Sequence, residues 1–309
     1  MAVVDDDPAD PDRSSIGGFG ADGLADRAGF DPGFLGVEVP LPQPASSAVV
    51  AVLLPYTHFS VLLRPDRRLA AVTGVGIDGD QLIDLPRAGI TWRPDPRLAA
   101  GQQTGADLYD RNDLDRGHLV RRRDPVWGTR AQAMRANTDT FHFPNAAPQA
   151  AGFNQGKELW AGLENYLLDH AATYDRKLVV FTGPVLAATD PPYRGIQIPL
   201  RFFKVAVFLD ASGPAATGYL LDQAPLVDDL PGVLAQAAAA GDPPPLGPFR
   251  SYQVPIADLA TLTDLQLDQL AALDRLPARP PARSADPRPS RLTSRWRRLR
   301  TPTDIVWDR

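Results

Sequence analysis

The chain reads as an α+β protein built around antiparallel strands, and three observations carry this. Strand-like runs at residues 48–54, 58–63 and 69–77 follow one another without a helix-length connection, so they pair as hairpins. A helical period runs over residues 155–174, with Leu159, Leu163 and Leu167 at i, i+4 and i+8 and Trp160 and Tyr166 beside them. Strand-like runs then resume at residues 178–182 and 198–209, and Phe202-Phe203-Lys204-Val205-Ala206-Val207-Phe208 is strongly β in composition.

The remaining elements follow in order. Residues 1–27 are rich in Asp, Gly and Ala and are expected to be an acidic disordered tail. Residues 30–44 alternate apolar residues with Pro and Gly, which suits an extended strap lying on the domain. Asp78-Gly79 is a turn signal, and Trp92-Arg93-Pro94-Asp95-Pro96-Arg97-Leu98 is a Pro-broken loop with an aromatic anchor. Leu114 begins a strand that runs into a tight Arg116-Gly117 turn and leaves His118 at a sheet end. A short helix is expected at residues 129–136, then a loop from Phe141 through Pro148-Gln149. A strand at 217–221, a helix at 230–240 stopped by Pro243-Pro244-Pro245, a strand at 252–254 and helices at 256–262 and 265–276 complete residues 28–276 as the folded domain. From Pro277 to residue 309 the composition shifts to a basic Pro/Arg-rich tail.

Composition narrows the chemistry. The chain has 309 residues, 44% hydrophobic and 22% charged, enough for a full core. No run of 18 apolar residues is present, so no membrane partner is expected. The first residues lack the basic start and apolar run of a signal peptide; the compartment stays unknown, with the cytoplasm as default. With no cysteine, any metal must be held by oxygen or imidazole, which suits Mg²⁺, with Mn²⁺ or Ca²⁺ as alternatives. The net charge of −5 disfavours a nucleic-acid partner, but its distribution favours one. Residues 1–31 hold eight aspartates, residues 111–135 seven arginines against three aspartates, and residues 275–309 ten arginines against three aspartates. The two basic stretches read either as a footprint for a polyanion or as a solvated face plus a disordered tail.

The chain is organised around residues 113–164. Cleaving a phosphodiester needs a base for water, a cation on the phosphate and help for the leaving oxygen. His118, inside Asp115-Arg116-Gly117-His118 and followed by Arg121, Arg122 and Arg123, suits the base. Asn154 offers a neutral hard oxygen for Mg²⁺ and equally suits a helix N-cap. Glu164 lies ten residues on, about 15 Å along a straight helix, so it fits a contact to metal-bound water or a surface ion pair better than a shared ligand role. Arg116 could clamp a phosphate, while Asp115 pairs locally and shapes the turn. Arg121, Arg122 and Arg123 alternate in direction if extended, so not all three reach substrate; Arg121 and Arg122 are the substrate-binding candidates. His58, His142 and His170 lack comparable neighbours and read as structural.

Asp115-Arg116-Gly117-His118, then Asn145-Ala146-Ala147-Pro148-Gln149, Phe153-Asn154-Gln155-Gly156 and Leu163-Glu164, resemble the DNA/RNA non-specific endonucleases, which are ββα-metal (His-Me finger) nucleases and include endonuclease G. Phe181-Thr182-Gly183-Pro184-Val185, Ile198-Pro199 and Phe203-Lys204-Val205 extend the likeness, to roughly residues 46–275. The ordered set is specific; no single motif is. The resemblance implies a central, mostly antiparallel sheet flanked by helices, with a ββα-metal finger carrying the site. It implies His118 as general base, Asn154 as the sole direct protein ligand of Mg²⁺, Glu164 on metal-bound water and Arg116 near the phosphate. It further implies DNA and RNA backbones as partners, with a second copy of the chain or an inhibitory protein as further candidates.

The chain departs from the family in three places. The spacing from Asn154 to Trp160 and Glu164 is two residues longer than the common form. Leu168 stands where an arginine is frequent. The upstream catalytic arginine has no clear match, Arg93 being the nearest candidate. A binding module without catalysis and a partner-regulated effector are the competing functions.

Overall fold

The computed structural model describes residues 21–87, 89–150, 177–227, 229–247, 249–276, 296–301 and 304–306. Its centre is an eight-stranded sheet in which every neighbouring pair is antiparallel. In spatial order the strands are β1 (Val52–Pro55), β2 (Phe59–Arg64), β3 (Leu69–Asp78), β6 (Lys177–Pro184), β9 (Arg201–Asp210), β10 (Gly213–Asp222), β11 (Arg250–Val254) and β12 (Arg297–Leu299). Side chains alternate across a strand, so a sheet covered on both faces needs apolar residues at successive positions. Strand β6 shows this. Leu178 and Val180 belong to the core on one face, and Val179 and Phe181 to the core on the other.

The first face carries the ribbon of β4 (Leu114–His118) and β5 (Ala146–Ala150), packed through Leu114, Leu119, Phe143 and Ala147. The second face carries helices α4 (Ile256–Thr263) and α5 (Asp268–Ala272) and the strap, through Phe30, Leu35 and Val39. Gly74 and Gly76 let the strap approach, since a Cβ there would lie 2.8 Å from Leu41 Cδ1 and 3.0 Å from the Phe34 ring. The remaining strands, β7 (Pro192–Tyr193) and β8 (Ile196–Gln197), form a small hairpin.

The helix expected at 230–240 is α3, Leu230–Ala240, with Asp229 capping Gly232 N and Gly241 left-handed at its end. Helix α2 (Arg130–Asp139) starts on a capping box between Thr129 and Gln132; a one-turn helix, α1, covers Ala106–Tyr109. The helix expected over 265–276 is shorter, because Leu267 and Leu273 bound α5. Two local readings change. Gly117 lies in strand β4, not in a turn. Residues 146–150 form β5 rather than loop, because the ribbon has only two strands and Pro148 sits on its open edge, where a missing N–H costs nothing.

The ends of the domain are tied down within the described residues. Leu24 is buried, and Arg27 bonds Asp139 at 2.7 Å. At the other end β12 pairs with β11, Trp296 Nε1 donates to Asp258 Oδ2 at 3.0 Å, and Gln253 exchanges two hydrogen bonds with Val306. No helix among the described residues is long and apolar enough to cross a membrane.

Candidate active site

The ribbon places His118 as the last residue of β4, opposite Ala146. Gly117 is required there by space. A Cβ on it would meet the Gln149 side chain at 2.2 Å, since Gln149 lies across the ribbon from Asp115. Just past His118 the chain is clamped by fully buried Asn145. Its backbone oxygen accepts from Leu119 N at 2.9 Å. Its amide accepts from Val120 N and donates to Val120 O and Thr140 O, each at 2.9 Å. The Asn145 motif therefore fixes the histidine strand rather than contacting substrate.

The His118 ring is walled by aromatics. Trp92 lies 4.6 Å away centroid to centroid and tilted, and Phe141 lies 4.9 Å away edge-on. Part of the residue remains at the surface. Nε2 itself is buried and has no hydrogen-bond partner among the described residues. Burial first, then the charges of Arg87, Arg122 and Arg121, hold the imidazole well below its usual value. The result is a neutral ring at physiological pH with a lone pair free for a proton.

The arginines divide by direction. Arg116 lies with its guanidinium 5.3 Å from the Tyr109 ring centroid, and its Nε has no partner among the described residues. Arg122 turns inward, donating to Leu85 O at 2.7 Å and Asn137 Oδ1 at 3.4 Å, so it braces the scaffold rather than reaching outward. Arg121 is only partly buried. Arg123, half-buried, pairs with exposed Asp84 at 4.0 Å. Arg93 points away from His118: its neighbour Trp92 takes the His118 side, and Arg93 Nη2 donates to Thr138 O at 3.1 Å. Arg87, not Arg93, is the upstream arginine whose charge acts on His118. Its guanidinium sits 5.7 Å from the Phe141 centroid, on the ring that packs against His118. No local pattern marked Arg87, which stands in the irregular stretch before the ribbon.

His58 and His142 are packed and bonded. His58 stacks on Trp127 at 3.5 Å with Nδ1 2.8 Å from Pro125 O, and His142 Nδ1 lies 2.9 Å from Asp139 O. Asn154, Glu164 and His170 lie outside the described residues. Among the described residues no group of three His, Asp or Glu could hold a metal.

The described site is thus a two-stranded ribbon on an antiparallel sheet, ending in a histidine among arginines. A family model described as DNA/RNA non-specific endonuclease matches residues 41–274. The chain belongs to that family. It is also 39% identical over 269 residues to the uncharacterized protein y4fB of Sinorhizobium fredii (strain NBRC 101917 / NGR234), a match covering 80% of this chain. The chain spans 40% of that relative's length. Among solved structures it is similar to the crystal structure of the EndoG/EndoGI complex, described as showing the mechanism of EndoG inhibition. The TM-score is 0.52 and the identity 16%, over 71% of this chain and 86% of that one. At that identity the likeness establishes the α+β fold alone.

Proposed function

We propose that the protein is a Mg²⁺-dependent, sugar-non-specific endonuclease that hydrolyses phosphodiester bonds in DNA and RNA, with His118 as general base. The observation that carries this is the buried Nε2 of His118, without a hydrogen-bond partner among the described residues and held neutral by burial and by the charges of Arg87, Arg122 and Arg121. In this reading Nε2 takes a proton from water, the water oxygen forms the new bond to phosphorus, and the bond to the leaving sugar oxygen breaks. Arg87, Arg116 and Arg121 are the cations that would face the phosphate and its developing charge.

The donor chemistry fits a hard cation. The chain has no cysteine, and a neutral asparagine amide suits an ion that keeps most of its own waters. Asn154 would hold Mg²⁺, with Mn²⁺ or Ca²⁺ as other occupants, and Glu164 would accept from water in its shell. When bound, the ion would polarise the scissile phosphate and offset its added charge. By analogy with the inhibited EndoG structure, an inhibitory protein is a candidate partner.

Incubation of the purified protein with plasmid DNA and with RNA tests the reading. Both should be cut with Mg²⁺ and spared with EDTA. Sparing of both under every metal condition would overturn it.

A further inference from the structure

The mechanism leaves unused a heavily bonded buried cluster around Asp95. Asp95 is fully buried. Its carboxylate accepts from Tyr56 Oη at 2.5 Å and from Arg97 Nη2 at 2.6 Å and N at 2.8 Å. Its backbone N and O are both bonded by the Gln103 amide at 2.8 Å. Arg97 continues to Pro55 O at 2.8 Å and lies over the Tyr56 ring. The loop is thereby pinned to the end of β1 in the main sheet. Two residues before Asp95 the same segment is pinned to the chain leading into β5: Arg93 N donates to Phe141 O and Phe143 N to Arg93 O, each at 3.0 Å. Trp92 adjoins the Arg93 anchor, and its side chain reaches from there to His118. Its indole packs on Phe141 at 5.3 Å and Phe143 at 6.0 Å and meets the imidazole at 4.6 Å.

We propose that Trp92 is a positioning residue for His118, and that the Asp95 clamp exists to hold its indole against the imidazole. The inference rests on His118 being the base. Two anchors on separate segments, the end of β1 and the chain before β5, are more than a surface loop needs. Their shared product is a rigid aromatic wall on one side of the ring. The wall fixes the direction of Nε2 and keeps bulk water off the face of the ring that it covers. The groups facing His118 from other elements are Phe141 and Arg87, and from the following segment Arg121 and Arg122. These remain when Trp92 is changed, so their influence on the ring is constant across the variants.

The test uses the full chain with Trp92→Ala and Trp92→Phe. His118 is titrated by NMR without substrate, and kcat, KM and the acid limb of kcat/KM are measured on DNA. Trp92→Ala should move the His118 titration toward the ordinary imidazole value and lower kcat about 10-fold to 100-fold, the scale of a misplaced catalytic group. KM should change little. Trp92→Phe, which keeps a ring there, should recover most of both. An unmoved His118 titration in folded Trp92→Ala would overturn the proposal, as would a lower melting temperature in that variant with an unmoved acid limb. The NMR arm needs no turnover. Failure of the nuclease reading would therefore show as inactive wild type, while failure of this inference would show as an unshifted His118.

Discussion

Asn145 and Val120 are joined twice, the asparagine amide accepting from Val120 N and donating to Val120 O, both at 2.9 Å. A single side chain thus replaces the missing ladder partner two residues after His118. Removing it orphans buried backbone groups at Val120 and Thr140. Each such group costs about 1–3 kcal/mol. Asn145→Ala should lose on the order of 3 kcal/mol in urea unfolding, with activity falling further than stability requires. A loss within error of zero would mean that water fills the gap and the clamp is dispensable.

Gly117 is held to glycine by Gln149, not by backbone torsion. Gly117→Ala should cost about 1–3 kcal/mol as an overpacked site, toward the low end because Gln149 can swing aside. The double variant with Gln149→Ala should recover most of the loss. Independent, additive effects in that cycle would contradict the packing account.

The two upstream arginines should separate cleanly. Arg87→Ala should lower kcat by tenfold or more, while Arg93→Ala, which gives up the Thr138 contact, should lower the melting temperature and change kcat little. Comparable loss of kcat in both would return Arg93 to the site.

The pH dependence follows from the depressed imidazole. Because His118 stays neutral below its ordinary value of 6.5, the acid limb of kcat/KM, which reports the free enzyme, should lie below that value. Stability shares the sign. As pH falls below 6.5 the unfolded chain takes up a proton that the folded ring refuses, so stability is present above that value and lost on acidification. His58 and His142 are depressed by burial too, so His118→Gln should flatten the slope without abolishing it. An acid limb above 6.5 would contradict the burial of Nε2.

How much of this was legible in the sequence depends on whether the signal was local. The helix at residues 230–240 was readable because its Ala-rich run meets a local stop at Pro243-Pro244-Pro245, and the structure adds caps at Asp229 and Gly241. Strands β3, β6 and β9 were readable because a sheet covered on both faces needs unbroken apolar runs. Strand β5 was not, since Pro148 argues for loop until the ribbon's open edge is known. Side-chain direction was also beyond reach. Arg93 and Arg87 are equally good arginines in sequence, and only the pairing of Arg93 with Phe141 and Phe143 turns one away and leaves the other at the histidine. Arg122 reads as a phosphate ligand until Leu85 O and Asn137 claim it. Asn154 and Glu164 were assigned by motif and spacing, and both lie outside the described residues.

The central claim is that His118 performs the chemistry while the arginines bind. Cleavage and binding of the same duplex, compared between the protein and His118→Ala in Mg²⁺, test it most directly. The account predicts that turnover falls by about 10²-fold to 10⁴-fold, the range for a positioned general base, while the dissociation constant changes little. Turnover within a few-fold of the unmodified protein, in a folded His118→Ala, would contradict it.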